Sequence, residues 1–284
     1  MADARLGVHG YGKIGIRLAK VERAGEHHAF HDLTVRVRLE GDFAAAYLDG
    51  DNSTSLPTDT MRATAYALAA DMSLAEAEHY LDALGTRLLA ATPAATAAHA
   101  EAVVHGWDRI VVTGQDAAHP HAFRRGSADA TASVAVRREG DAEVRSGLTG
   151  LTLAKTTGSG FSGFLTDEYT VLAETEDRIL ATAVEAEWSW LRPPPSYAGA
   201  RPRVQAAIEE VFATRYSPSV QHTLYAAGEA ALAAVPEIAA ITFRLPNRHH
   251  VPVDLTPFGR TNDSEVFTVL DRPYGMVEGT VVRT

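Results

Sequence analysis

The chain has 284 residues, 46% hydrophobic and 22% charged, the balance of a globular protein long enough to bury a sizeable core. Its formal net charge is -10 and no segment concentrates Lys and Arg, which excludes a nucleic-acid footprint and leaves any anion to be met by single, placed cations. There is no cysteine, so disulfides, thiolate metal ligands and thiol nucleophiles are excluded.

In chain order, Gly10-Tyr11-Gly12-Lys13-Ile14-Gly15 is the first feature, and it matches G-x-G-x-x-G. A dinucleotide fold would need a full strand before it and alternating βαβ units after it. Only nine residues precede the first Gly, and two helices in a row follow the second strand. The remaining reading is a β segment in which the glycines allow a turn or bulge beside Lys13. Residues 33–40 alternate apolar and polar without a break, as a half-buried antiparallel strand does. Residues 58–91 read as two helices, the first capped by Thr58 or Asp59, the second by a capping box of Ser73 and Glu76. Segments near 99–115, 121–138 and 141–155 read as strands broken by Gly, Pro or Asp.

A similar order then returns. Residues 180–190 alternate with Leu180, Val184, Trp188 and Trp190 on one face, and Pro193-Pro194-Pro195 ends that strand. Helices are expected near 201–214 and 217–234, the second capped by Ser217 with Pro218 at its first position. Strands are expected near 238–246, 265–270 and 276–283. Each half reads strands, two helices, strands, a repetition of order rather than of sequence. The expected fold class is α+β, with antiparallel sheets and helices on one face. The expected halves are 1–140 and 141–284 in one compact unit with no linker. No apolar run is long enough to span a bilayer, and neither a signal-peptide core nor a peroxisomal tripeptide is recognisable. The expected location is cytoplasmic, with no membrane partner.

A set of short stretches carries a family resemblance. They are Tyr11-Gly12-Lys13 with Arg17, Gly50-Asp51-Asn52-Ser53 leading to Pro57-Thr58-Asp59-Thr60, His119-Pro120-His121-Ala122-Phe123, and Ser159-Gly160-Phe161 with Gly163-Phe164. After these come Asp167-Glu168-Tyr169-Thr170, Asp177-Arg178-Ile179-Leu180, Tyr216-Ser217-Pro218-Ser219-Val220-Gln221 and Leu245-Pro246-Asn247-Arg248-His249. In this order, over nearly the whole chain, they resemble the urate oxidases. Arg62-Ala63-Thr64 departs from the Lys-Asn-Thr usual there, at a place expected to lie outside the site.

The residue types suit the chemistry that the resemblance implies. Urate is a flat, electron-rich monoanion, and binding it needs a cation, an amide that reads its edge and an aromatic face. Arg178 offers a planar fork, Gln221 a donor and an acceptor, and Phe161 a ring to stack on. The main chain of Val220 and of Asp59 would add polar contacts, and Leu172 would line the pocket. Electron transfer to dioxygen needs a second proton removed first. Lys13 can take it if its ammonium is desolvated, the Thr58 hydroxyl can pass it, and the imidazole of His249 can exchange it. The resemblance implies this Lys13, Thr58 and His249 relay, with Asn247 and Thr58 around the oxygen or peroxide. It implies no cofactor, only dioxygen as co-substrate.

The resemblance further implies two tandem tunnelling-fold halves whose sheets close into a barrel when subunits pair. It implies a homotetramer with sites at subunit interfaces, Lys13, Thr58 and Asp59 coming from one subunit and the other site residues from its neighbour. His119-x-His121 and His249-His250 make a metal geometrically possible, but without a third ligand at known spacing none is expected. The alternative is another tunnelling-fold enzyme or binding protein for a purine or pterin.

Overall fold

The computed structural model describes residues 4–115 and 117–284. The chain divides into two compact units, Met1–Gly147 with Pro195–Ala198, and Leu148–Pro194 with Gly199–Thr284. Both are α+β with antiparallel strand pairing. Among the described residues no helix is long and apolar enough to cross a membrane.

The first unit opens with β1 (Gly10–Ala24) and β2 (His27–Gly41), then α1 (Ala44–Leu48), α2 (Thr58–Asp71) and α3 (Ala77–Ala91). It continues with β3 (Ala95–Val104), the ribbon β4 (Trp107–Val111) and β5 (Ala118–Arg125), β6 (Asp129–Arg137) and the start of β7 (Glu143–Lys155). The sheet order here is β1-β2-β3-β6-β7, and β4 and β5 form a separate two-stranded sheet. Alternation along β2 buries Leu33, Val35, Val37 and Leu39 against Met61 and Ala65 of α2 and Tyr80, Leu84 and Leu88 of α3. The alternate residues face outward, where Arg36 pairs with Glu101 of β3 at 3.5 Å.

Strand β1 carries the irregularity expected beside Lys13. Its register against β2 shifts between Lys13 and Ile16, so that Ile14 and Gly15 together stand opposite Arg36. Gly15 has φ 73°, a conformation that only glycine adopts without strain.

The expected helix caps are not the ones formed. Pro57 is the N-cap of α2 and Thr58 its first residue, with no side-chain cap; the fixed φ of Pro57 sets the chain direction instead. Glu76 is the N-cap of α3, and the box with Ser73 does not form. The Glu76 carboxylate is turned away and accepts from Ser196 Oγ at 2.6 Å and from the backbone N–H of Ala198 at 2.8 Å.

The second unit contains the end of β7, then β8 (Leu180–Trp190), α4 (Tyr197–Thr214), α5 (Val220–Ala234), β9 (Ile238–Pro252) and β10 (Phe267–Val282), with sheet order β7-β8-β9-β10. Trp188, Ile241 and Phe243 are fully buried beneath the helices. Strand β9 runs past Pro246 through Asn247 and His249, further than its apolar pattern indicated. The two strands expected at 265–270 and 276–283 are one, β10, interrupted by residues 271–274, which stand opposite the single Arg248. The cap of α5 is Ser219, whose hydroxyl accepts from His222 N, not Ser217. Ser217 is buried and accepts from the Thr223 hydroxyl at 2.8 Å.

The two units repeat in residues, not only in order. Arg138 donates to the carbonyls of Leu89, Thr92 and Ala95 at the end of α3. Arg283 donates to those of Leu232, Val235 and Ile238, with the same spacing, at the end of α5. Gly85 of α3 lies against Val136, and Gly228 of α5 against Val281, so closely that no Cβ fits without a shift. Cations at the negative ends of helices are favourable, and these two bind the last carbonyls directly.

Candidate active site

The candidate residues form two clusters, one in each unit. In the first, the N-terminus of α2 comes up against β1. Lys13 Nζ donates to Asp59 Oδ1 at 3.0 Å, and Arg62 approaches the same oxygen at 3.5 Å. The Lys13 ammonium and the Arg62 charge hold the Asp59 carboxyl below its usual range. The Lys13 side chain keeps 30% of its surface exposed, so a counterion meets it here instead of the dry site expected. Arg62, whose place in the sequence suggests no part in the site, is thus in contact with Asp59. Thr58, next to Asp59, lines an open cavity of about 400 Å³ with Tyr11, Phe43, Tyr47 and Leu56.

In the second unit, short backbone ladders join three segments that are far apart in sequence. Phe161 and Thr175 exchange N–H···O bonds of 2.7 and 3.0 Å. Arg178 N donates to Ser159 O, Gly160 N to Ser217 O and Ser217 N to Gly158 O. The loop carrying Phe161, the turn carrying Arg178 and the start of α5 are therefore one framework. The Arg178 guanidinium lies over the Phe161 ring at 5.3 Å, a cation–π contact.

The charge around Arg178 is the most informative feature. Three acidic residues flank it, and none pairs with it. Glu174 accepts from Gly163 N at 2.9 Å, Asp177 from Thr157 Oγ1 and Gly158 N, and the Glu176 carboxylate lies 3.5 Å from the Tyr216 hydroxyl. Arg178 Nε is buried with no hydrogen-bond partner. Burial pushes the guanidinium below its ordinary value, and Tyr216 only partly opposes this. A half-buried cation with a bare donor and an aromatic floor is arranged for a flat anion.

Val220 is the first residue of α5 and buried, with Gln221 exposed beside it. Asn247 and His249 lie two apart on β9, hence on one face, opposite Gly275 and Leu270 of β10. Leu172 is 60% exposed on the loop after Phe161. Phe164, to which the sequence assigns no role, stacks its ring on that of Phe161, with centroids 4.9 Å apart and planes at 14°. The F-x-x-F spacing was the available signal, and it is a common one in any core.

Comparison with known proteins decides the family. The uricase family model matches residues 9–135 and 144–278. The chain belongs to the uricase family. It is 40% identical to the uricase of Arthrobacter globiformis over 278 residues, 98% of this chain and 90% of that protein. It is 36% identical to the uricase of Aspergillus flavus over 291 residues, 96% and 95% of the two chains. The crystal structure of the Arthrobacter globiformis uricase matches the fold with a TM-score of 0.92, over 99% of this chain and 96% of that one.

Proposed function

We propose that this protein oxidises urate with dioxygen and water to 5-hydroxyisourate and hydrogen peroxide. Arg178 carries the reading: it is a desolvated cation that three neighbouring carboxylates leave unpaired, over an aromatic ring. The urate monoanion takes the place of those carboxylates. Arg178 and Gln221 hold two edges of the purine, the main chain of Val220 and of Asp59 adds polar contacts, and Leu172 closes the pocket beside Phe161.

The relay of Lys13, Thr58 and His249 then removes a second proton. The resulting dianion gives one electron to dioxygen held by Asn247 and Thr58. Superoxide and the urate radical recombine at C5, and the proton that the relay returns completes a hydroperoxide. Water adds at C5 as hydrogen peroxide leaves, which balances the reaction with no metal or organic cofactor. The Lys13–Asp59 cluster of one subunit completes the Arg178 cluster of its neighbour. In this reading two tandem tunnelling-fold halves per subunit close their sheets into a barrel on pairing, which covers exposed strand edges. Two such barrels stack as a homotetramer.

The test is purified protein with urate, air and a chelator, and no added cofactor. Loss of urate absorbance with oxygen uptake and peroxide release is expected. Stable urate under these conditions overturns the reading.

A further inference from the structure

Strand β1 sends a lysine to each end of α2. Lys20 Nζ donates to the carbonyls of Ala69 and Met72, both at 2.8 Å, at the C-terminal end. The helix dipole favours a cation there. Lys13 stands at the other end, beside Thr58 and Asp59, where the dipole disfavours one. Arg62, one turn further on, adds a second positive charge. Asp59 is the anion between them, and both cations converge on its Oδ1. The neighbouring elements also carry Tyr11 on β1, Tyr47 of α1, whose hydroxyl donates to Gly10 O and whose ring meets that of His9 at 5.2 Å, and Tyr66 of α2, whose hydroxyl donates to Arg17 O. From β2, the residue opposite Lys13 is Val37, which is uncharged.

We propose that Asp59 and Arg62 are positioning residues that set the proton state of Lys13. The Asp59 carboxylate holds the ammonium at the seam of strand and helix. Arg62 competes for the same oxygen and loosens that hold. This rests on Lys13 being the base of the relay, which must give its proton to solvent before it can accept one that urate releases through Thr58. The side chain of Asp59 thereby has a role separate from its main-chain contact with substrate.

The two substitutions act in opposite directions. Asp59→Asn removes the counterion and leaves the helix end and Arg62, so the proton leaves Lys13 at lower pH. Arg62→Gln frees the carboxylate for Lys13 alone, so the proton leaves at higher pH. The test uses the assembled protein and two readouts. Competitive acylation of Lys13 by acetic anhydride, followed across pH by peptide mass spectrometry, reads the amine directly. The acidic limb of kcat at saturating urate reads the consequence. For Asp59→Asn both curves should move to lower pH by about half a unit or more, and for Arg62→Gln to higher pH. Asp59→Glu should restore the unsubstituted position, and added salt should shrink all the shifts. Curves that coincide, or that move the same way in both variants, overturn the proposal. Acylation curves that separate as described in a protein that leaves urate intact support it, and overturn the urate reading instead.

Discussion

Arg178 illustrates how a single residue changes meaning with its surroundings. A surface arginine beside Asp177 and Glu174 pairs with them and contributes little. Here the acids are engaged by backbone N–H groups and hydroxyls, and the guanidinium is left to burial and to Phe161. Arg178→Ala should therefore raise KM for urate roughly tenfold to a hundredfold, the worth of one charge-assisted pair of hydrogen bonds. Lys13→Ala should lower kcat by roughly a hundredfold or more with KM little changed, as expected for a proton acceptor. Steady-state kinetics separates the two, and an unchanged kcat for Lys13→Ala would remove lysine from the relay. Phe164→Leu should raise KM about three- to tenfold through loss of ring stacking on Phe161, and Phe164→Tyr should not.

At the scale of elements, the repeated helix-end device makes its own predictions. A methyl group at Gly228 would stand 2.4 Å from Val281 Cγ2, and one at Gly85 2.9 Å from Val136 Cγ2. Gly228→Ala should therefore destabilise by about 1–3 kcal/mol in denaturant melts, more than Gly85→Ala, and Val281→Ala should recover part of the loss. Most of these elements were legible in the sequence. Period-two burial located β2 and β8, and turn residues located the breaks between strands. Helix caps were not legible, because Glu76 is drawn off by Ser196 and Ala198, distant in the chain, and Ser217 by Thr223 of the helix it was expected to cap, which leaves the cap to Ser219. The continuation of β9 through Pro246 was also hidden, since proline argues against a paired strand. The residue-level repeat was hidden for a different reason. It consists of isolated Gly, Val and Arg positions whose equivalence appears only once their contacts are known. The candidate site residues were read from the family's ordered motifs. The counterion on Lys13 and the redirected acids around Arg178 were not, because each depends on which atoms the fold brings within 3 Å.

For the whole molecule, the arrangement of the clusters bears on assembly. If one subunit supplies Lys13 and its neighbour supplies Arg178, two inactive variants should rescue each other. In a mixed pair of Lys13→Ala and Arg178→Ala subunits, one site carries both defects and the other carries neither. Co-refolding the two at equal amounts should restore about a quarter of the unsubstituted activity, since half the pairs are mixed and each has one good site of two. Activity that stays at the level of the separate variants would place both residues of a site in one chain.

The irregularity in β1 has a consequence for Lys13 itself. On an unbroken strand, positions 13 and 20 differ by an odd number and leave the sheet on opposite sides. The extra residue at Ile14-Gly15 reverses the alternation once, so Lys13, Ile16, Leu18 and Lys20 all emerge toward α2. Shortening the strand by Gly15 alone would force a choice between two outcomes. Either Ile16 and Leu18 turn to water, or the Lys13 amine swings to the far surface, away from Thr58 and Asp59. A one-residue insertion in a hairpin thus decides on which side of the sheet the Lys13 amine is delivered.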